Sequence, residues 1–294
     1  MKNMKIIVTG ANGQLAKCLR DDVKESNNHT WVWLDHDYLD IGNHEDVENI
    51  IKIFKPNVVI NCAAYTNVTN AEDEKDLAMR CNSEGVKNLK DACSKIGCKI
   101  IHISTDYVFD GKKSSAYTEE DKENPLNAYG ASKLEGESFL SLDEDVIIRT
   151  SWLYSEHGKN FLRTMLNKME SNDDISVVDD QIGSPTYAKD LGQFIIRMIN
   201  DENFDNFHGL YHYTNEGIAS WYDFAVAIRD ILGFNNVILP VKSSGTLKRP
   251  AFSKLDCTKL KKDFNIEIPN WQYGLRRCLV RCGVKMMIIK RALD

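Results

Sequence analysis

The chain has 294 residues, 43% hydrophobic and 27% charged, an ordinary globular composition with material for one large domain or two. Its formal net charge of -6 argues against a general affinity for nucleic acid. No apolar run reaches the ~18 residues of a membrane span, and Met1-Lys2-Asn3-Met4 leads straight into a strand pattern without a signal-peptide apolar region, so a cytoplasmic protein is expected.

Short apolar runs alternate with longer amphipathic stretches through the first half. In chain order, Lys5 to Thr9 predicts a strand, Gln14 to Lys24 a helix, Trp31 to Leu34 a strand and Glu45 to Phe54 a helix. Val58 to Asn61 predicts the next strand, Asp76 to Ile96 one continuous helix and Lys99 to Ser104 a strand. Asn127 to Leu140 then reads as a helix and Val146 to Arg149 as a strand. Apolar strands alternating with helices predict an α/β fold, a doubly wound parallel sheet of Rossmann type covered on both faces.

After Thr150 the pattern loosens. Phe161 to Met169, Lys189 to Asn200 and Trp221 to Leu232 read as helices, the last opened by Ser220 as N-cap. No repeat or low-complexity linker separates the halves. The expected division is a Rossmann domain over residues 1–152, with later segments returning to it, and a smaller, mostly helical substrate-binding lobe and C-terminal tail over 153–294. In the last stretch, Arg276, Arg277, Arg281, Lys285, Lys290 and Arg291 stand among Leu, Val, Met and Ile. That reads as a terminal helix with a solvated basic face rather than a membrane-surface element.

The eight cysteines, Cys18, Cys62, Cys81, Cys93, Cys98, Cys257, Cys278 and Cys282, form no CxxC pair, and no Cys/His spacing suits zinc. They are read as reduced thiols, with Cys62 a small hydrophobe in an apolar strand.

Gly10-Ala11-Asn12-Gly13-Gln14-Leu15-Ala16 joins the first strand to the first helix. The first glycine suits the tight turn, and the second lets backbone approach a pyrophosphate. Helix-start N–H groups and the helix dipole then face the phosphates, and small Ala16 permits close helix–strand packing. Asp35 closes the second strand ~20 residues on, where a carboxylate binds adenosine ribose hydroxyls. A carboxylate there repels a 2′-phosphate, so NADH is expected to be accepted. Asn61-Cys62-Ala63-Ala64-Tyr65-Thr66 ends the next strand, where small Ala63 and Ala64 leave room for the cofactor and Thr66 offers a hydroxyl.

Tyr129 and Lys133 lie four apart on a predicted helix and share one face. A free phenol titrates near pH ~10, and a neighbouring ammonium is expected to favour phenolate and bring it toward acid–base use. Ser104 and Thr105 end the preceding strand, and either hydroxyl can hold a substrate carbonyl; strand alternation decides which.

These features together resemble the extended short-chain dehydrogenase/reductases, and within them the chain is similar to the dTDP-4-dehydrorhamnose reductase family. The resemblance runs over almost the whole chain. It is carried by Ser104 to Phe109, Pro125 to Lys133, Arg149 to Tyr154, Asn160-Phe161, Asp180 to Thr186, Gly209 to Trp221 and Arg249-Pro250. It implies reduction of the C4 keto group of dTDP-4-dehydro-L-rhamnose to dTDP-L-rhamnose by NADPH or NADH, for cell-surface polysaccharide synthesis. Thr105, Tyr129 and Lys133 would be the catalytic set, with Tyr129 as general acid. Gly10, Asn12, Gly13, Gln14, Leu15, Asp35, Asp40, Ile41, Ala63, Ala64 and Thr66 would line the cofactor, together with Tyr129 and Lys133. Thr105, Asp106, Trp152, Asn160, Gln181 and Arg249 would face the sugar nucleotide.

The sequence departs from the pattern at Ala16 and at Thr69-Asn70-Ala71-Glu72. Where some relatives hold a bridging magnesium with glutamates, Cys18 and Lys189 occupy the corresponding neighbourhoods, so no metal is expected. Another nucleotide-sugar reductase, an epimerase, or a non-catalytic regulatory subunit like methionine adenosyltransferase beta remain open, as do monomer and homodimer.

Overall fold

The computed structural model describes residues 3–23, 28–171 and 173–283. The first half builds β1 (Lys5–Thr9), α1 (Gln14–Val23), β2 (Thr30–Leu34), α2 (His44–Phe54) and β3 (Val58–Asn61). It continues through α3 (Lys75–Met79), a π-helical turn (Arg80–Glu84), α4 (Gly85–Ser94), β4 (Lys99–Thr105), α5 (Ala128–Glu137) and β5 (Val146–Thr150). Period-two burial explains why these strands need covering on both sides. Ile6, Val8, Ile60, Ile101 and Ile148 share one core with Leu15 and Leu19 of α1. Ile7, Val59, Ile100 and Ile147 share another with Val47 and Ile51 of α2 and Leu89 of α4.

The predicted helix Asp76 to Ile96 is broken in its first half by the π turn. Asn82 within that turn is 1% exposed. Its side chain accepts from Tyr65 N at 2.8 Å and donates to Tyr65 O and Ser132 Oγ at 3.0 Å. These contacts tie the segment to α5 and to the loop after β3, which a regular helical pattern does not signal.

The second half supplies β6 (Leu153–Tyr154), α6 (Phe161–Met169), β7 (Ile175–Val178), β8 (Ile182–Gly183), β9 (Thr186–Tyr187) and α7 (Ala188–Ile199). It ends with β10 (Gly209–His212), β11 (Ala219–Ser220), α8 (Trp221–Leu232), β12 (Ile238–Val241), α9 (Thr258–Asp263) and α10 (Trp271–Arg281). Ser220 caps α8 in a reciprocal box with Asp223. The central sheet has six strands in the order β10-β5-β4-β3-β1-β2, all parallel. The strand order reverses beside β1 and β3, and ligands of open α/β sheets lie at that switch point. β10 adds to this sheet and α7 packs on α1, so two segments of the second half sit with the first. A separate core joins Leu162 and Met165 of α6, Phe224 and Ile228 of α8, and Leu275 of α10. The two-stranded pairs β6-β9, β7-β12 and β8-β11 complete this lobe, which is less purely helical than the sequence suggests.

The terminal helix differs from its expected solvated basic face. Arg277 of α10 turns inward to Asp190 Oδ1 at 2.5 Å, over the Tyr273 ring at 4.7 Å. Arg281 pairs with Glu156 and Asp21. Arg276 is exposed, and Lys285, Lys290 and Arg291 lie outside the described residues. Among the described residues no helix is long and apolar enough to cross a membrane.

Candidate active site

A cleft of about 690 Å³ opens over the carboxyl ends of β1, β3 and β4. One wall carries Gly10, Asn12, Gly13, Gln14, Leu15 and Asp35; Ala63, Ala64 and Thr66 form the strip beside it. Gly10 has φ of 61°, and a Cβ there would lie 2.7 Å from Ala63 N, so the turn admits only glycine. Gly13 N donates to Gly10 O at 2.8 Å, which brings the chain round to start α1 at the cleft. The Asp35 carboxylate accepts from Asn12 Nδ2 at 2.7 Å and from Asp37 N at 3.1 Å. This cradle, in which the start of α1 meets a turn with no room for a side chain at Gly10, suits a dinucleotide pyrophosphate with Asp35 at its ribose.

The other end holds Thr105, Asp106, Tyr129, Lys133 and Trp152. Strand alternation separates the two hydroxyls left open by the sequence. Both residues line the cleft, but the Ser104 hydroxyl is directed to Glu137 on the α5 side, whereas that of Thr105 stays on the side of Asp106 and Tyr129. Thr105 Oγ1 accepts from Tyr107 N and donates to Asp106 Oδ1, each at 3.2 Å. Gly130 allows α5 to approach: a Cβ there would stand 2.2 Å from Tyr107 O. Asn127 caps the helix by accepting from Gly130 N at 2.8 Å, and Glu72 Oε1 accepts from Ala128 N at 2.8 Å.

Burial governs the electrostatics here. It pushes the Tyr129 phenol up to about 12, against the hydrogen bond from Thr105, so the phenol carries its proton at neutral pH. It pulls Lys133 down to about 8, partly opposed by Glu137 and Cys62. Lys133 Nζ donates to Ile103 O at 2.7 Å and meets His102 Nε2 at 3.3 Å. The lowering of the phenol expected from this amine is not found: burial dominates, opposed by the Thr105 hydrogen bond. Burial also pushes the Asp106 carboxyl up to about 7.

Trp152 has a positive φ of 47° and stacks flat on Trp221. Trp221, His36, Asp37 and Lys159 also line the cleft, and none was selected from the sequence. Trp221 opens α8, and only the packing of that helix brings it here; nothing local marks it.

Several expected residues lie beside or behind the cleft instead. Asn160 caps α6 and donates to Gln14 Oε1 at 3.3 Å. Gln181 supports Trp221, accepting from its Nε1 at 3.2 Å. Arg249 hydrogen-bonds to Tyr107 and reaches Thr69 Oγ1 at 3.5 Å. Asp40 pairs with Arg80, and Ile41 is buried with its side chain near Gly85.

In the neighbourhood where some relatives hold a bridging magnesium, Lys189 pairs with Asp22. Cys18, Glu156 and His157 bring donor atoms within 4.8 Å of one another. Burial raises the Cys18 thiol to about 12. Glu156 accepts from Tyr187 and Arg281, and His157 faces Asp21 at 2.9 Å. A protonated thiol beside occupied donors does not fit a hard, oxygen-seeking cation.

The family model described as the RmlD substrate binding domain matches residues 4–283. A dTDP-4-dehydrorhamnose reductase from Aggregatibacter actinomycetemcomitans is 42% identical, over 92% of this chain and 97% of its own. The crystal structure of a dTDP-4-dehydrorhamnose reductase from Bacillus anthracis in complex with NADP is similar at 38% identity and a TM-score of 0.89, covering 95% of this chain and 99% of that one. A dTDP-4-dehydrorhamnose reductase structure from Clostridium acetobutylicum is 39% identical with a TM-score of 0.90, covering 95% and 100%. Matched along nearly its whole length in sequence and fold, the chain belongs to the dTDP-4-dehydrorhamnose reductase family.

Proposed function

We propose that this protein reduces the C4 keto group of dTDP-4-dehydro-L-rhamnose to dTDP-L-rhamnose with NADPH or NADH, in the cytoplasm, for cell-surface polysaccharide synthesis. The observation that carries this reading is the meeting of Thr105, Tyr129 and Lys133 in one cleft with the Gly10–Gly13 turn. The relatives' names support the substrate, and the NADP bound to the Bacillus anthracis relative supports the cofactor.

Residues 1–152, joined by β10 and α7, hold the dinucleotide; the rest of 153–294 holds the sugar nucleotide. When bound, the nicotinamide supplies the hydride. Thr105 holds the carbonyl through its hydroxyl, and Tyr129, kept protonated by burial, gives its proton to the C4 oxygen. Lys133 orients the cofactor ribose and the phenol. Trp152 and its partner Trp221 wall the sugar side, with Arg249 at the edge toward the diphosphate. The protein works as a monomer or homodimer.

The test is oxidation of NADPH and NADH, followed at the nicotinamide absorbance, with dTDP-4-dehydro-L-rhamnose generated in situ. Rapid oxidation that falls at least about 100-fold in Tyr129→Phe is expected. Near-normal turnover in that variant would sink the acid assignment. Absence of oxidation with either cofactor, in protein shown to bind both, would sink the reductase reading and favour the regulatory-subunit alternative. Turnover of a nucleotide sugar on a tightly held cofactor, with no added reductant, would replace it with an epimerase.

A further inference from the structure

Three neighbouring strands carry a row of polar side chains, from the carboxyl ends of β1 and β3 to the middle of β4, leading to Lys133. Thr9 of β1 and His102 of β4 are 0% exposed, and Asn61 of β3 between them is 1% exposed. Thr9 pairs with Asn61 in register, and Asn61 with His102. Thr9 Oγ1 donates to Asn61 Oδ1 at 2.6 Å, and Asn61 Nδ2 lies 3.1 Å from His102 Nδ1. His102 Nε2 is 3.3 Å from Lys133 Nζ. At the outer end, Ala63 N donates to Thr9 Oγ1 at 3.2 Å and to Asn61 Oδ1 at 3.3 Å. Ala63 N is also the atom that bars a side chain at Gly10, so the row reaches the cofactor turn.

The hydrogens along this row can be counted. Burial holds the His102 imidazole well below its ordinary range, so the ring carries a single N–H. Suppose Lys133 is an ammonium. Nε2 must then accept from it, so the ring proton sits on Nδ1 and Asn61 must offer its oxygen. The Asn61 amide group turns toward Thr9 Oγ1, which accepts from it and from Ala63 N. Suppose instead that Lys133 is a neutral amine. Its lone pair accepts from Nε2–H, Nδ1 accepts from Asn61 Nδ2, and Asn61 Oδ1 accepts from the Thr9 hydroxyl. In both states each contact between neighbouring side chains of the row has one donor and one acceptor, and those directions reverse together; Ala63 N–H donates to Thr9 Oγ1 throughout and gives up its longer contact with Asn61 in the ammonium state. A buried row satisfied in only one state would make the other costly.

We infer that His102 is a positioning residue that lets buried Lys133 gain and lose a proton, by reversing the polarity of the Thr9–Asn61–His102 row. This rests on the proposed reduction, in which the need arises once per turnover. The Tyr129 O–H bond breaks as the product O–H forms; a Lys133 N–H proton then refills the phenolate, and the amine left behind takes a proton from solvent water. The titratable and charged groups around Lys133 are His102 of β4, Cys62 after β3, and Tyr129 and Glu137 of its own helix. Glu137 is held by the buried Arg149 of β5, whose Nε donates to it at 3.0 Å.

The test follows Lys133 directly, by NMR of the full chain labelled with 13C-lysine, its signal identified by loss in Lys133→Met. His102→Leu removes one of two partners of Nζ and disfavours the ammonium, so the titration midpoint falls by about one pH unit. Turnover falls about 10-fold while KM for NADH stays within about twofold. His102→Gln keeps an amide that can turn over, and restores both. Thr9→Val keeps shape but leaves Asn61 Nδ2 without an acceptor in the ammonium state, so it lowers the midpoint as well, from two strands away. An unmoved midpoint in His102→Leu, or in Thr9→Val if the leucine variant does not fold, overturns the inference whatever happens to activity. Absence of turnover by the unsubstituted protein would count against the reductase reading alone, because the titration is read without substrate.

Discussion

Trp152 and Trp221 stack with ring centroids 3.6 Å apart and only 5° between their planes, although they come from the exit of β5 and the start of α8. Trp152 has left-handed backbone geometry, costly for a bulky residue, and the flat contact helps hold it there. Gln181 fixes the Trp221 indole from behind and is itself bonded to Ser243 at 2.8 Å. An aromatic pair of this kind contributes about 0.5–1.5 kcal/mol beyond its buried area. Trp221→Ala should therefore raise KM for the sugar nucleotide about 10-fold, with kcat within about threefold and KM for NADH unchanged. Steady-state kinetics with each substrate varied in turn decides this. A selective fall in kcat, or a matching rise in KM for NADH, would show that the pair does not serve the sugar side.

The cofactor wall makes a separate prediction. Asp35 and Asp37 both line the cleft, and among the described residues the only lysines or arginines doing so are Lys133 and Lys159. Asp35 is aimed by Asn12 and by the Asp37 amide, so its carboxylate stays where a ribose hydroxyl would bind. A 2′-phosphate placed there meets like charge. The protein should use NADH, and Asp35→Ala should move the ratio of kcat/KM for NADPH over NADH upward by about 10-fold, or about 1.4 kcal/mol. Equal losses for both cofactors would place Asp35 in general support of the turn rather than in selection.

What was readable in the sequence follows from how local each constraint is. The meeting of Gly10, Gly13 and Asp35 at one cleft was legible because backbone geometry sets their spacing after a strand. Tyr129 and Lys133 were legible because four residues on a helix make one face. Asn160, expected at the sugar, is also a helix cap bonded to Gln14, 146 residues away, a link that local spacing does not signal. His102 and Asn61 stand in otherwise apolar strands, where the sequence alone gives no sign that they face each other and Lys133. Strands of two residues, such as Leu153–Tyr154 and Thr186–Tyr187, are too short to show a period at all. The central sheet is thus written locally, whereas the smaller lobe and the far wall of the cleft depend on long-range packing.

Asp106 carries a pH dependence whose direction is fixed by its burial. The residue is 2% exposed and its carboxyl is pushed up to about 7. In the unfolded chain it titrates near pH ~3.9. Between about pH 4 and 7 the folded protein therefore binds more protons at this site than the unfolded chain, and the slope of stability against pH is negative. The favourable contribution is fully present below the unfolded value and is lost as pH rises through about 7. Asp106→Asn keeps an acceptor for the Thr105 hydroxyl and removes the ionisation. Relative to the unsubstituted protein, the variant should gain on the order of 2–4 kcal/mol on moving from pH 4 to pH 8. Urea unfolding followed by circular dichroism at several pH values measures this difference. Parallel stability curves for the two proteins would mean that Asp106 ionises with ordinary ease, and that the wall beside Thr105 is wetter than its burial implies.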